Sequence, residues 1–310
     1  MKNGFYDKPG RFALFALTIA VFAIVIVTFV RWVDRIARLG RLGTTIDKVE
    51  AAAAAALERR RRAPNLGGVT PALRQDAGQR IYAKAIGYVQ RVDVPALQRC
   101  AEKSQARITV TALPGTFAAP GRPLASLNPD PGAACEIDQD QLREAFLISD
   151  DRKFDEDPRF GLVVLSEIAS RALSPAVNDP GTAIDIIGTL VRLFIRWCDP
   201  VAEGEKLTFV CDRVEVPNLD LQDMFDDAFT GIARDGAACI EVAVRLQKAF
   251  ESLASAADYT LRQVARQHAR LAFARAEQTL EFPPDMETLR RVASAQELDA
   301  REREVSRANA

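Results

Sequence analysis

An unbroken apolar run occupies residues 12–30 near the start of the chain, where the sequence reads FALFALTIAVFAIVIVTFV. Thr18 and Thr28 are its only polar residues, and it carries no charge. As a helix the run would be about 28 Å long, close to the thickness of the hydrocarbon core of a bilayer. It is longer than the apolar core of a signal peptide, and no small-residue cleavage site follows it. The pattern predicts a transmembrane helix at 12–30, preceded by a short N-terminal segment at 1–11.

Basic residues directly after the apolar run indicate how the protein is oriented. They are somewhat more numerous here than before the run, and cytoplasmic segments of membrane proteins carry such an excess. The arginines recur every three or four residues, so a helix would place them on one face, either against anionic headgroups or in solvent. We expect a single-pass protein of the inner (plasma) membrane, with the lipid bilayer as a partner and its C-terminal body in the cytoplasm. The predicted membrane-interface residues are Arg31, Trp32, Arg35, Arg38 and Arg41.

Four regions with different patterns follow the apolar run. They are an Ala-rich segment that favours helix, a linker with Pro and Gly, a segment of short alternating strands, and a long stretch of helical periodicity. Together they predict an α+β fold with an N-terminal transmembrane helix, a small barrel-sandwich-like β module and a mainly α-helical C-terminal domain. The predicted boundaries are 31–63 for the juxtamembrane helix, 64–80 for the linker, 81–150 for the β module and 151–310 for the helical domain, with a short β-hairpin near 207–216.

Three short motifs characterise the β module. They are a Gly-Tyr-Val strand at 87–89, a Pro-Gly-x-Phe turn at 114–117 and a Gly-x-Pro-Leu segment at 121–124. In combination they resemble the barrel-sandwich hybrid fold of biotinyl and lipoyl domains. Those domains carry their cofactor on a lysine at a hairpin tip, whereas 108–127 contains no lysine. We therefore interpret the module as structural and expect no cofactor.

Composition and rare residues narrow the function classes. The 41 basic and 42 acidic residues nearly cancel, so we expect no nucleic acid as partner. Five widely spaced cysteines form no C-x-x-C pair, which is typical of packed, reduced thiols. His268 is the single histidine and limits Ser-His-Asp or multi-His chemistry; its Arg-rich surroundings favour a solvent-exposed helix position. An acidic helix face at Asp223, Asp226 and Asp227 lacks the EF-hand pattern, so we predict no metal site.

Two Asp-Pro pairs frame the most patterned stretch of the chain, FDEDPRFGLVVLSEIASRALSPAVNDPGT at 154–182. An aspartate before a proline is typical of a helix start, because the carboxylate accepts from free backbone N–H groups and proline has no N–H to satisfy. Asp157 and Asp179 therefore predict two helix N-termini, and Ser174, which precedes a proline, ends the first helix. A helical hairpin explains these residues without any chemistry.

Polar groups that capping does not need allow a second interpretation of the same stretch. Glu167 and Arg171 stand four residues apart, where an ion pair is favourable on a helix, and Asp185 interrupts an apolar helix. Such groups could line a ligand pocket or a subunit interface, and paired buried carboxylates could perform acid–base work. The candidate pocket or interface residues are Asp155, Asp157, Glu167, Arg171, Ser174, Asn178, Asp179 and Thr182.

The stretch also contains two longer motifs, F-D-x-D-P-x-F-G at 154–161 and A-L-S-P-x-x-N-D-P-x-T-A at 172–183. They closely resemble the signature of a bacterial family of predicted membrane proteins, domain of unknown function 2254, and the resemblance extends over most of the chain. It implies no established reaction and no residue role. Family members look like several transmembrane helices followed by this region. Since one span is predicted here, we interpret the chain as a shortened or truncated member.

Three functions fit these observations. The leading hypothesis is a membrane-anchored cytoplasmic module of unknown biochemical activity that forms a homo-oligomer and acts as an assembly or gating domain. One alternative is a subunit of an oligomeric channel or transporter, although Ala13, Ala16, Ala20 and Ala23 suit close helix packing. The other alternative is a hydrolase or ligand-binding enzyme with a site near Asn178.

Overall fold

The computed structural model describes residues 8–39, 42–72, 78–132, 138–202, 204, 211–256 and 258–294, with side chains described within 12–31 and from 43 onward. The chain forms two compact units, Met1–Lys48 and Val49–Ala310. In the first unit, helix α1 runs over Lys8–Leu39, and none of the window Phe12–Arg31 is buried. Helix α1 is long and apolar enough to cross a membrane, which confirms the predicted N-terminal apolar helix.

A second helix, α2 (Leu42–Arg62), contributes to the core of the second unit from Val49 onward. Its Ala-rich sequence has high helix propensity, and the four arginines of its last turn complement the negative end of the helix dipole. Val49, Ala53, Ala56 and Leu57 are buried at the three- and four-residue spacing of one helix face. From Val49 onward, helix α2 therefore packs as part of the second unit, which we refer to as the body.

In the described part of the chain, two β-sheets follow α2. The larger has the strand order β1-β8-β4-β6-β2, and the smaller has the order β5-β3-β7. Strand β8 lies parallel to β1 and β4 and between them, although it follows two long helices in the chain. The elements are β1 (Gly68–Val69), β2 (Gln79–Tyr82), β3 (Gly87–Val92), α3 (Val94–Lys103), β4 (Ala106–Val110), β5 (Phe117–Ala118), β6 (Pro123–Pro129), α4 (Gln139–Glu144), β7 (Phe146–Ser149) and β8 (Cys211–Glu215).

The side chains of β4 alternate between the core and the surface, as the sequence predicts for a half-buried strand. Ala106, Ile108 and Val110 are buried, and Ala112 beyond the strand is buried as well. Among the described strands the two sheets are not closed into a barrel, so the resemblance to a barrel-sandwich hybrid stays a prediction. Of the hairpin predicted near 207–216, one arm corresponds to β8 and the other lies outside the described residues.

Helices form most of the remainder of the body, and several of their aromatic side chains pack against one another in its core. The ring centroids of Phe194 and Phe225 lie 4.4 Å apart, and those of Phe229 and Phe250 lie 5.0 Å apart. Together with the sheets, these helices confirm a mixed α+β fold behind an N-terminal apolar helix. The helices are α5 (Pro158–Ala172), α6 (Pro180–Cys198), α7 (Leu221–Asp235), α8 (Ile240–Ala254) and α9 (Tyr259–Thr279), and residues 283–294 are also helical.

The helix starts predicted from Asp-Pro pairs are confirmed. The Asp157 carboxylate accepts from the first turn of α5, and the Asp179 carboxylate accepts from the first turn of α6. Asp220 caps α7 in the same way. Each carboxylate satisfies backbone N–H groups that have no partner within the helix, which fixes the residue at which the helix begins.

Candidate functional site

Asp157 is a buried carboxylate at the start of α5, only 2% exposed. Its Oδ1 accepts hydrogen bonds from the backbone N–H groups of Arg159 and Phe160, at 3.2 and 3.1 Å. Its Oδ2 accepts from Nε and Nη2 of Arg152, at 2.8 and 2.7 Å. Burial raises the pKa of Asp157, while the charge of Arg152 and these hydrogen bonds oppose that rise. The carboxylate is thus committed to holding the helix start and one arginine.

The predicted Pro-Gly turn of the β part packs directly against Asp157. Gly115 has a φ angle of +94°, and a Cβ atom added there would collide with the Asp157 carboxylate. The Gly115 N–H donates to the carbonyl oxygen of Val89 at 2.8 Å, which ties the turn to β3. Only glycine combines this backbone conformation with this close approach, so the turn joins the sheet to the start of α5.

Two arginines of α2 approach the same segment from the other side. Arg59 donates through Nε to the carbonyl oxygen of Asp155 at 2.7 Å. Arg60 is only 3% exposed, and neither of its Nη atoms has a hydrogen-bond partner among the described residues. Burial lowers the pKa of Arg60 to about 10, and the charges of Asp157 and Glu156 oppose that shift.

We refer to these groups as the charged cluster; its members are Arg59, Arg60, Arg91, Arg152, Asp155, Glu156 and Asp157. Glu156 is half-buried, and burial raises the pKa of its carboxyl group against the charges of Arg91, Arg60 and Arg59. The cluster brings together α2, β3 and the loop before α5. Because Arg60 and Asp157 of this cluster are buried, their opposite charges favour the packing of α2 against the start of α5.

The second predicted helix start is a surface turn at the opposite end of α5. The Ser174 hydroxyl donates to the carbonyl oxygen of Arg171 at 2.7 Å, and Asn178 is exposed with a φ angle of +50°. The Asp179 carboxylate accepts from Thr182, at 3.1 Å from the backbone N–H and 2.6 Å from the hydroxyl. These bonds lower the pKa of Asp179. Each polar group of this turn that makes a bond serves the turn or the cap.

The structure divides the candidate residues into two groups instead of one pocket. Asp155 and Asp157 stand at one end of α5, and the residues from Ser174 to Thr182 stand at the other end, about 22 Å along the helix. Glu167 and Arg171 are exposed on α5, and their charged groups form no ion pair within the described part. The sequence therefore located helix ends, while the charged cluster also draws on arginines that sequence reasoning missed.

A further ion cluster involves the acidic face predicted on α7. Arg159 of α5 donates through Nε to Asp227 Oδ2 at 2.6 Å and through Nη1 to Asp223 Oδ2 at 2.7 Å. Within the described ranges no group of three or more His, Cys, Asp or Glu residues is arranged to hold a metal ion. The two carboxylates instead bind an internal cation and join α5 to α7.

His268 lies inside the helical core, so the prediction of a solvent-exposed position is wrong. It is 4% exposed, and its ring centroid lies 5.3 Å from that of Phe225. Its Nε2 is 2.9 Å from Nε2 of Gln222 and 3.6 Å from Oδ1 of Asp226. Burial lowers the pKa of His268, and the Asp226 charge opposes this. The buried residues Leu261, Ala265 and Ala272 on the same helix face were the signal that could have placed it correctly.

A cleft of about 270 Å³ opens between α2 and α6, and we refer to it as the α2–α6 cleft. Its walls are mostly apolar, with charged side chains at one end. Arg61 binds Glu58 through Nη1 at 2.6 Å and donates through Nη2 to the carbonyl oxygen of Asp199, whereas its Nε is buried with no partner in the described part. The lining residues are Ala54, Ala55, Leu57, Glu58, Arg61, Leu193 and Arg196.

The predicted membrane-interface residues fall mostly where side chains are not described. Arg31 is exposed at the end of the apolar window. Trp32, Arg35 and Arg38 continue helix α1, and Arg41 lies outside the described residues.

Comparison with known proteins places these features in a family. A family model described as predicted membrane protein (DUF2254) matches residues 1–252. The uncharacterized proteins Rv1290c of Mycobacterium tuberculosis and Mb1321c of Mycobacterium bovis are each 36% identical over 105 residues, which is 33% of this chain and 20% of theirs. The match thus spans a fifth of those relatives. No solved structure matches the chain.

Proposed function

We propose, from the premise that this chain belongs to the DUF2254 family of predicted membrane proteins, that it is a single-pass anchor carrying a cytoplasmic body that self-associates. The body would serve as an assembly or gating module of the bacterial inner membrane. The observation that carries the proposal is helix α1, an apolar helix none of whose window Phe12–Arg31 is buried. Such a helix has no favourable environment in water, and a bilayer supplies one.

The polar residues of α1 are compatible with a lipid environment. The hydroxyls of Thr18 and Thr28 donate to the carbonyl oxygens of Leu14 and Ile24, at 2.8 and 2.7 Å. Because both hydroxyls are satisfied within the helix, neither needs water. This favours an anchor over the lining of a polar pore.

Self-association is proposed from a stripe of small residues along α1. Ala13, Ala16, Ala20 and Ala23 repeat at three- and four-residue spacing and so share one helix face. In a bilayer, small residues allow two helix backbones to approach closely and to gain packing contacts. The stripe supports helix pairing between copies of the chain.

The native mass of the detergent-solubilised full chain tests self-association. We expect a defined oligomer that Ala20→Phe weakens, because the larger side chain separates the paired helices. Val25→Phe adds a ring on the opposite face of α1 and serves as the control. A monomeric full chain, or equal loss of oligomer in both variants, would contradict pairing through α1.

Orientation is tested in cells. We expect added protease to spare the body in intact spheroplasts and to digest it after the inner membrane is opened. Digestion in intact spheroplasts would exclude a cytoplasmic body.

A further inference from the structure

We propose that the α2–α6 cleft binds one anionic phospholipid, with the phosphate at its arginines and the start of an acyl chain on its apolar wall. The proposal rests on the membrane attachment proposed above, because the bilayer is the source of this ligand. The cleft lies within the second compact unit, so its geometry is independent of α1.

The walls of the cleft offer an apolar surface of the right character for a hydrocarbon chain. Ala54, Ala55 and Leu57 of α2 face Leu193 of α6 across a volume of about 270 Å³. This volume suits a phosphate group and the first carbons of a chain, and it is too small for a whole lipid.

Arg61 places a mostly buried guanidinium at the charged end of the cleft. Its side chain is 11% exposed, and two of its nitrogens are used by Glu58 and by the carbonyl oxygen of Asp199. The third nitrogen, Nε, is buried and has no hydrogen-bond partner among the described residues. Because Nε is sealed from the cleft, a ligand would interact with this guanidinium through its positive charge and its Nη groups.

Arg196 adds a second guanidinium at the rim. It is exposed and lines the cleft, and its side chain makes no hydrogen bond within the described part of the chain. Its charge helps to lower the pKa of the Glu50 carboxyl group. The single carboxylate of the cleft, Glu58, is already bound by Arg61 and Arg62. The site is therefore cationic, and guanidinium groups bind phosphate oxygens with charge-assisted hydrogen bonds. A zwitterionic headgroup would bring its own cation towards Arg196, which favours an anionic lipid.

Helix ends supply the competing explanation. Arg61 and Arg196 both belong to the last turns of their helices, where a cation complements the dipole without any ligand. In that case the cleft would show no preference between lipid headgroups.

Native mass spectrometry of the full chain in an uncharged detergent distinguishes lipid recognition by the cleft from the helix-dipole explanation. We expect a one-molecule adduct with dihexanoyl phosphatidylglycerol that is at least about tenfold weaker with dihexanoyl phosphatidylcholine. Inorganic phosphate in the same concentration range should not compete. Equal adducts with both lipids would overturn headgroup recognition, and competition by phosphate alone would assign the site to a free anion.

Exposed variants map the adduct to the cleft without disturbing the core. Ala55→Glu places a carboxylate in the cleft and should weaken phosphatidylglycerol binding about tenfold, whereas Ala51→Glu, one turn earlier and outside the cleft, should not. Arg196→Gln should weaken binding about fivefold, whereas Arg270→Gln, at an exposed position of α9 outside the cleft, should not. Equal effects in variants and controls would overturn the assignment.

Partition into phosphatidylcholine vesicles, measured on the same proteins, separates this proposal from the anchor. A chain that partitions normally but shows no lipid selectivity would overturn only the cleft assignment. A chain that selects phosphatidylglycerol in detergent but fails to enter vesicles would overturn only the anchor.

Discussion

Asp157 and Asp179 cap α5 and α6 in the same way, but their surroundings differ. Asp157 is 2% exposed beside Arg152, and its charge also acts on the buried Arg60, whereas Asp179 belongs to a surface turn. Removing one partner of a buried ion pair leaves an uncompensated charge, which is far more costly than the loss of a cap. Charge burial therefore decides which of the two residues matters more for stability.

We expect Asp157→Ala to reduce the free energy of unfolding by about 3–5 kcal/mol, because Arg152 and the buried Arg60 both lose a neighbouring negative charge. Asp179→Ala should cost clearly less. Urea unfolding of both variants, followed by circular dichroism in mild detergent, measures the difference. Equal losses would contradict a charged cluster that holds the elements together.

His268 makes the stability of the helical core sensitive to acid. Burial holds its pKa in the folded state below the ordinary value of about 6.5, with Asp226 opposing the shift. The unfolded chain therefore binds the proton more readily, so stability is fully present above about pH 6.5 and is lost as the pH falls through the lower, folded-state pKa.

We expect His268→Gln to reduce the fall in melting temperature between pH 7.5 and pH 5.5. The imidazole resonance of the wild-type chain can be followed directly, because the chain has one histidine. A measured pKa at or above 6.5 would refute the burial argument.

The sequence predicts the capping aspartates because a cap acts within one helical turn. It does not predict Arg60 or His268 as buried, since their residue types are normally solvated. In both cases the three- and four-residue spacing of the neighbouring apolar residues indicated a buried helix face. Arg60 continues the buried row of Ala53, Ala56 and Leu57. The sequence does not predict that Arg60 lies near Asp157, because Asp157 lies nearly a hundred residues further along the chain.

Among the elements, α2 and α5 come into unusually close contact at Gly161. A Cβ atom added at Gly161 would collide with the side chain of Ala53. In a helix interior, Gly→Ala normally stabilises by about 1 kcal/mol, but here it would force the two helices apart. The same substitution at Gly188 of α6 would meet only the flexible ends of Arg245 and Arg192.

We therefore expect opposite signs from one substitution at two helical sites. Gly161→Ala should destabilise the body by about 1–3 kcal/mol through overpacking, and Gly188→Ala should stabilise it by about 0.5–1 kcal/mol. The melting temperatures of the two variants, each compared with that of the wild-type chain, test this expectation. A stabilised Gly161→Ala would show that α2 can move away from α5 at little cost.

The Pro-Gly turn between the sheet and α5 permits a similar comparison. Gly115 and Gly121 both have positive φ angles, +94° and +82°, but only Gly115 lies against Asp157, and an added Cβ at Gly121 would meet nothing within 4 Å. We expect Gly115→Ala to lower the melting temperature further than Gly121→Ala, because the backbone strain is shared and the collision is not. Equal falls in melting temperature would show that an added Cβ atom at Gly115 does not collide with Asp157.

At the scale of the molecule, the chain divides after Lys48 into two units, and this division guides truncation. A version starting at Leu42 loses α1 and keeps all of α2, so we expect it to leave the membrane fraction and to melt like the full chain. A version starting at Val69 also loses the buried Ala53, Ala56 and Leu57, so we expect it not to fold. Differential scanning fluorimetry measures whether each version folds, and sedimentation of membranes measures whether it stays in the membrane fraction. A stable Val69 version would contradict a structural role for α2.

The α+β class, the apolar helix and the helix ends could all be predicted, since each depends on a local pattern. The strand order could not, because β8 pairs with β4 across a long intervening stretch of helix and leaves no local trace.

The position of β8 has a consequence for biosynthesis. The larger sheet stays split until residues 211–215 emerge from the ribosome, long after α1 is available for insertion into the bilayer. Until then β1 and β4 expose the edges that β8 will later occupy. Long-range pairing of this kind slows folding. The interval between insertion and completion of the sheet is therefore the period in which this protein most needs chaperone protection.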